Sequence, residues 1–266
     1  VESVSFSNAY AASGHVTLAV KKELQGRPWK TDDSFKFELT ANDNAPMPTT
    51  AVDGKVELSI TKSDTDATKS FGAIDYTLSD MGGAKEKTFT YTVKEIAPSA
   101  EDDKDNGRLA YDTTEHTVTI NVVDDGKGNL IANEDMDLIA TTTITNTYTP
   151  DTPKFEKKIK DTNDSTGETS DWQDSADYDI GDMVPFKLTA TLAKDVTSYH
   201  KYHITFVDQM EPSLTFDENS VSVYLNNSPL ASSDYTLTKV NAQNFTLRLT
   251  WTGEGEDGLI TNAALN

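Results

Sequence analysis

The sequence predicts an all-β protein made of tandem immunoglobulin-like β-sandwich domains, and three observations support this fold class. Apolar and polar residues alternate with the period of a strand in residues 35–39, 55–60, 88–93 and 116–122. The turn-forming cluster at residues 124–129 predicts a hairpin between antiparallel strands, and no convincing amphipathic helix is found. The length of 266 residues favours two domains, because larger single cores are uncommon.

The predicted domain boundary lies at residues 148–153, where Pro150 and Pro153 interrupt the strand pattern. We therefore expect a first domain over residues 12–150 and a second over residues 151–266. The second domain shows no evident closing strand and is expected to be incomplete at its C-terminus.

Six strands are predicted in the second domain. They lie at residues 155–160, 184–192, 203–208, 221–225, 235–240 and 245–251. Pro185 cannot donate a hydrogen bond to a sheet, which predicts an edge strand or a bulge at its position. Residues 161–177 are expected to form a long polar loop.

Composition opposes several classes of function. Asp and Glu number 44 against 23 Lys and Arg, and the net charge of −21 opposes binding to nucleic acid or to an acidic membrane surface. No run of 18 apolar residues is present, so no membrane insertion is predicted. Cysteine is absent, so outside a cell the chain needs a source of stability other than disulfides.

No cofactor, no metal site and no catalytic site for an external substrate is predicted. Residues 101–107 resemble a calcium-binding loop, but Lys104 stands where an oxygen ligand is needed, so a solvated acidic loop is the better interpretation. His200 and His203 are three positions apart on a predicted strand, which puts them on opposite faces. The sequence also lacks nucleophile-elbow, phosphate-loop and dinucleotide-binding motifs.

Three strands direct polar side chains toward the core of the first domain. Lys22 has the parity of the apolar residues at positions 16, 18 and 20, and Glu95 has that of positions 89, 91 and 93. Asn146 shares a face with Ile144 and Tyr148. From one strand alone, a lysine with its ammonium group in water is the ordinary interpretation. The agreement of three strands favours an inward-facing cluster instead.

Such a cluster allows covalent chemistry. Burial lowers the pKa of a lysine and raises that of a glutamate, so both favour their neutral forms. A neutral amine is a nucleophile, a protonated carboxyl group polarises an amide carbonyl, and an asparagine side chain loses ammonia when attacked. The product would be an amide bond between Lys22 and Asn146, formed once and autocatalytically.

Four stretches of the first domain agree with a known family in order, spacing and parity; they are residues 22–27, 35–39, 91–95 and 144–148. Together they resemble the intramolecular isopeptide domain of sortase-assembled pilins and surface proteins of Gram-positive bacteria, over about residues 12–150. The resemblance implies that Lys22 and Asn146 are the bond partners and that Glu95 is the acid that promotes the reaction.

The second domain opens with residues 153–159, which resemble the first strand of an isopeptide domain of the collagen-adhesin type. The promoting acid of that type is usually an aspartate, so Lys157 and Asp208 are the implied candidates. Their asparagine partner is not identified, because Asn262 and Asn266 come too early in the pattern. A surface position or an unlinked salt bridge is the alternative for this pair.

Residues 6–10 repeat the Phe-x-Asn-x-Tyr form of such a closing strand. Residues 1–11 are therefore expected to be the remnant of a preceding domain, to which Asn8 belonged. The parent chain would then be a tandem array of similar domains.

The leading hypothesis is a structural stalk module of a cell-surface pilus or fibrillar adhesin, which by resemblance is extracellular and anchored to the cell wall. The expected partners are neighbouring domains or subunits of the same fibre, a sortase and a host-surface ligand. A first alternative is a ligand-binding adhesin domain for a host protein or glycan, with residues 161–177 as its binding region. A second is a carbohydrate-active accessory domain, for which Trp29, Trp172 and Trp251 are too scattered to decide.

Overall fold

The computed structural model describes residues 8–163 and 165–265 and divides the chain into two compact units, Val1–Thr149 and Pro150–Asn266. The prediction of an all-β fold is confirmed, since strands dominate both units. Residues 1–7 of the expected remnant lie outside the described residues, and residues 8–12 precede the first strand. The remnant therefore stays a prediction.

The described residues of the first unit form nine strands, one short α-helix and one 3₁₀ turn. The strands are β1 (Ser13–Gln25), β2 (Ser34–Ala41), β3 (Lys55–Thr61), β4 (Thr68–Thr77), β5 (Glu86–Ile96), β6 (Leu109–Ala110), β7 (His116–Asp124), β8 (Leu130–Ala132) and β9 (Ile139–Tyr148), and the helix is α1 (Leu78–Met81). The predicted hairpin is confirmed, because β7 and β8 pair antiparallel on either side of its turn.

These strands form two sheets, one in the order β4-β1-β9-β6 and the other in the order β3-β2-β5-β7-β8. Neighbouring strands run antiparallel, except that β1 and β9 run parallel. The first and last strands of the unit are therefore direct neighbours. Antiparallel neighbours need only a hairpin, whereas this parallel contact requires almost the whole unit as its connection.

The two sheets enclose one core, to which alternate residues of each strand contribute. Leu18 on β1 and Phe37 on β2 are fully buried, and the hydroxyl groups of Tyr76 on β4 and Tyr91 on β5 lie 2.9 Å apart across the core. Strand β4 was not predicted, because Gly72 and its polar neighbours obscure the alternation. The helix α1 is a single turn, too short to show a helical period in the sequence.

The second unit contains β10 (Lys154–Ile159), β11 (Phe186–Thr191), β12 (Lys201–Gln209), β13 (Tyr224–Leu225), β14 (Ser228–Pro229), β15 (Tyr235–Lys239) and β16 (Asn244–Thr252). Their sheets are β10-β11, β12-β16-β15 and β13-β14. The strand expected at residues 221–225 is wrong in extent, since only Tyr224–Leu225 pairs, in a short hairpin. Pro185 lies just before β11, outside the paired residues.

A separate hydrophobic cluster stabilises the second unit; its members include Ile204, Phe216, Phe245, Leu247, Leu249 and Trp251.

Short 3₁₀ turns occur in both units. Among the described residues, the first unit has one at Thr65–Ala67, and the second unit has four, at Val196–Ser198, Glu218–Ser220, Glu256–Gly258 and Asn262–Leu265. None of the helices in the described part of the chain is long and apolar enough to cross a membrane.

Gly26 permits the close approach of the end of β1 to β9. Its backbone is left-handed, with φ of 89°, and a Cβ atom there would lie 2.2 Å from the carbonyl oxygen of Tyr148. Gly54 has a similar φ of 78° but open space around it. It is therefore a matched control for the effect of the backbone conformation alone.

We expect Gly26→Ala to lower the free energy of unfolding of the first unit by about 2–4 kcal/mol, from left-handed strain plus steric overlap. Gly54→Ala should cost only about 1–2 kcal/mol, from the strain alone. Urea unfolding monitored by circular dichroism measures both values. Equal losses in the two variants would contradict the tight contact at Gly26.

Candidate functional site

Lys22 and Asn146 lie on neighbouring parallel strands of the same sheet. In the register of β1 and β9, Lys22 lies opposite Ile144, and Leu24 lies opposite Asn146. Because successive side chains alternate between faces, Lys22, Ile144 and Asn146 point to the same side. That side is the core, and both polar residues are buried.

Glu95 reaches the same point from the opposite sheet. It lies on β5, paired with Phe37 of β2. Its Oε2 accepts a hydrogen bond from Nζ of Lys22 at 2.6 Å, and its Oε1 accepts one from Nδ2 of Asn146 at 2.8 Å. The structure thus brings the three residues singled out in the sequence to one carboxyl group.

Burial controls the protonation of this cluster. The side chains of Lys22 and Glu95 are both 0% exposed. Burial lowers the pKa of Lys22 and raises the pKa of Glu95, and the attraction between their charges only partly opposes these shifts. The environment therefore favours an uncharged amine beside a protonated carboxyl group, unlike a surface ion pair, whose charges remain hydrated.

Aromatic rings surround the amine of Lys22. Its Nζ lies 5.0 Å from the ring centroid of Phe35 and 5.8 Å from that of Phe37. The Phe35 ring in turn packs edge-on against Trp29, with centroids 5.1 Å apart, and lies 6.4 Å from the Tyr111 ring. These rings exclude water from the cluster and so maintain the low polarity that shifts both pKa values.

Asn146 is held at both ends of its carboxamide group. Nδ2 donates to Glu95, and Oδ1 accepts a hydrogen bond from the backbone N–H of Asp112 at 3.0 Å. The sequence did not predict this second contact, because a backbone donor is independent of residue type. Its position depends on the path of the segment between β6 and β7.

A buried charge cluster lies beside the site and was not predicted from the sequence. Arg27 donates to both carboxylate oxygens of Asp33 at 2.8 Å and to Asp105 at 2.6 Å, and Lys30 donates to Asp105 at 3.2 Å. Burial alone would lower the pKa of Arg27, but hydrogen bonds to the two carboxylates raise it above its usual value. The cluster ties the end of β1 to the loop between β5 and β6.

The geometry provides the groups that amide formation requires. An amine lies beside a carboxyl group that also contacts the nitrogen of a carboxamide, and the carboxamide oxygen receives a hydrogen bond. Both reacting groups belong to the folded chain, so their proximity needs no binding step. The arrangement suits a reaction of the chain with itself.

The second unit brings its two candidate residues together with less burial. Nζ of Lys157 lies 2.6 Å from Oδ1 of Asp208, and the side chains are 38% and 9% exposed. The ring centroid of Phe186 lies 4.6 Å from this Nζ, and Phe155 packs edge-on against Phe206 at 5.6 Å. One aromatic ring, that of Phe186, therefore contacts this amine, but water also reaches it.

The bond partner of Lys157 remains unassigned. Asn262 lies in the 3₁₀ turn Asn262–Leu265, and Asn266 lies outside the described residues. Lys157 and Asp208 consequently stay candidates only, with a salt bridge as the interaction that the structure shows.

Other features considered in the sequence add no site within the described part of the chain. No group of three or more His, Cys, Asp or Glu there is placed to hold a metal ion. Lys104 of the acidic loop pairs with Asp32 at 2.8 Å. Trp251 lies in the core of the second unit, whereas Trp29 packs beside the Lys22 cluster.

Comparison with known proteins identifies a family for most of the first unit. Residues 18–149 match the family described as FctA, the Spy0128-like isopeptide-containing domain. The matched range includes Lys22, Glu95 and Asn146. No curated protein matches the chain.

Several solved pilin structures are similar to the chain at low identity. The full-length major pilin SpaD of Corynebacterium diphtheriae is 17% identical, over 93% of this chain and 52% of the pilin, with a TM-score of 0.27. The RrgB pilus protein of Streptococcus pneumoniae is 16% identical, over 91% and 42%, with a TM-score of 0.28. The major pilin of Streptococcus pyogenes is 13% identical, over 90% and 74%, with a TM-score of 0.28. The chain spans about half the length of SpaD.

Proposed function

The chain belongs, through residues 18–149, to the FctA family of Spy0128-like isopeptide-containing domains, and from this premise we propose that it is a structural stalk module of a cell-surface pilus or fibrillar adhesin. An intramolecular isopeptide bond between Lys22 and Asn146 stabilises the module. The contact of both side chains with one buried carboxyl group is the observation that carries this proposal.

The reaction proceeds from the neutral amine and the protonated carboxyl group. Nζ of Lys22 attacks Cγ of Asn146 and forms the new carbon–nitrogen bond. Glu95 accepts a proton from Nζ through Oε2 and supplies a proton to Nδ2 through Oε1, so its own protonation is unchanged. The bond between Cγ and Nδ2 breaks, and ammonia leaves. No oxidant, cofactor or metal takes part.

The bond closes a loop of about 125 residues, between the first and last strands of the unit. Crosslinks of this loop length remove conformational freedom from the unfolded chain worth roughly 4–5 kcal/mol. Unlike a disulfide, an amide bond is not cleaved by thiols. The bond supplies a covalent stability that a chain without cysteine cannot obtain from disulfides.

The mechanical consequence follows from the position of the bond. Tension on the ends of the unit enters β1 and leaves through β9, and the crosslink joins these two strands directly. Residues between Lys22 and Asn146 then bear no load. A fibre subunit needs this property because force on one subunit is transmitted to every other.

We place the protein outside the cell, anchored to the wall of a Gram-positive bacterium. Its partners are neighbouring domains or subunits of the same fibre, with a sortase joining the parent proteins and a host-surface ligand as a further partner. The charge of −21 keeps such a chain soluble and opposes contact with acidic surfaces.

Intact-mass spectrometry tests the bond. We expect the protein to weigh about 17 Da less than its sequence, because one ammonia is lost. Lys22→Ala, Glu95→Ala and Asn146→Ala should each restore the full mass and lower the melting temperature. Lys157→Ala is the matched control in the second unit and should keep the deficit. An unmodified mass for the wild-type protein would overturn the proposal.

Force spectroscopy on single molecules tests the stalk function. The wild-type first unit should release no contour length from between Lys22 and Asn146, because the bond bypasses that segment. Glu95→Ala should unfold with an added extension of about 40 nm, the length of roughly 125 extended residues. Equal extensions in both proteins would rule out a load-bearing crosslink.

A further inference from the structure

We propose that the backbone N–H of Asp112 is the oxyanion donor of the self-crosslinking reaction, and that the Asp112 side chain fixes this donor in place through Thr114 and His116. The inference rests on the proposed function, since it assigns a further catalytic group to the same site. It concerns the carboxamide oxygen of Asn146, which the three predicted residues leave without a donor.

The hydrogen bonds determine which way the carboxamide of Asn146 faces. A backbone N–H only donates, so the atom 3.0 Å from the nitrogen of Asp112 has to be the oxygen Oδ1. Nδ2 then faces Oε1 of Glu95, at 2.8 Å. The leaving nitrogen is at the carboxyl group, and the carbonyl oxygen is at the backbone donor.

In this orientation, the carboxyl group of Glu95 and the backbone N–H of Asp112 have different roles. Both oxygens of Glu95 contact nitrogen atoms, one of Lys22 and one of Asn146, so they serve proton transfer between nucleophile and leaving group. When Nζ attacks Cγ, negative charge develops on Oδ1. The N–H of Asp112 already points at that atom in a buried site, where a fixed dipole stabilises developing charge most effectively.

The segment that carries the donor is anchored on two sides. On one side, β6 pairs with β9, with Ala110 opposite Thr147, so the chain passes alongside Asn146 before it reaches Asp112. On the other, Oδ1 of Asp112 accepts hydrogen bonds from the backbone N–H and the hydroxyl of Thr114, at 3.1 and 2.5 Å. Oδ2 of Asp112 lies 3.0 Å from Nε2 of His116, at the start of β7.

The Asp112 side chain therefore acts as a positioning group rather than as a reactant. Hydrogen bonds from Thr114 and contact with His116 hold the pKa of its carboxyl group below the usual value, so it stays ionised as an acceptor. Its negative charge raises the pKa of both Lys22 and Glu95. That influence favours the protonated carboxyl group and disfavours the neutral amine, so the net gain comes from the backbone donor.

The sharpest test removes only the N–H. Malic acid, the hydroxy acid that corresponds to Asp, is incorporated at position 112 with a suppressor tRNA during cell-free translation of the full chain. The backbone N–H of residue 112 then becomes an ester oxygen, and the Asp side chain is kept. We expect crosslinking, followed as the loss of about 17 Da with time, to slow about 10²–10³-fold. The matched control places the corresponding hydroxy acid at Thr113 and should react at the wild-type rate.

The outcomes separate this inference from the proposed function. Wild-type rates in the ester-112 protein, with no reaction in Glu95→Ala, would overturn the oxyanion role and leave the crosslink standing. A wild-type protein without the mass deficit would overturn the proposed function itself. Slowing in both ester proteins would also contradict the inference, because the effect would not be specific to the N–H of Asp112.

Hydrogen exchange provides a second measurement if the ester protein does not fold. In Lys22→Met, which cannot react, the amide of Asp112 should exchange at least 10-fold more slowly than in Lys22→Met/Asn146→Ala. Equal rates would show that the hydrogen bond is absent and would contradict the inference.

Variants of Thr114 test the positioning role of the Asp112 side chain. Thr114→Val should slow crosslinking several-fold and Thr114→Ser should restore the rate, whereas a merely structural role predicts unchanged kinetics in both.

Discussion

One buried carboxyl group, shared by two nitrogen atoms, is the constraint on which the core of the first unit depends. An ionised lysine or glutamate in that position costs several kcal/mol of desolvation, even when the two charges are paired. Glu95 limits the cost by contacting both Lys22 and Asn146, and the aromatic rings around them exclude water. Amide formation removes the charged state of the lysine altogether. We therefore interpret this polar core as reactive, and its unfavourable environment as the reason for its reactivity.

Strand geometry determines which side chains can react. The parallel contact of β1 with β9 puts Lys22 and Asn146 on one face, two residues apart in register, while β5 supplies the acid from the facing sheet. The same contact makes the crosslink mechanically useful, since it joins the two strands at the ends of the unit. The second unit has a similar contact between Lys157 and Asp208, but its amine is partly hydrated.

Local pattern was sufficient to predict the all-β fold and the inward direction of Lys22, Glu95 and Asn146, because strand parity is a property of a few adjacent residues. Strand β4 escaped prediction, since Gly72 and polar neighbours interrupt the alternation that identifies a strand. The donor at Asp112 could not have been found in the same way. Its function lies in a backbone N–H, and only tertiary contacts of the surrounding loop bring that group to the carboxamide. The sequence alone does not predict where a loop lies relative to strands that are distant in the chain.

Tandem mass spectrometry of a tryptic digest tests the central claim most directly. The crosslink blocks cleavage after Lys22, so the account predicts one branched peptide that joins residues 22–30 to residues 128–154. Its mass should be about 17 Da below the sum of the two linear peptides, with fragment ions that place the branch at Lys22 and Asn146. Recovery of residues 128–154 as an unmodified linear peptide, together with cleavage after Lys22, would contradict the account.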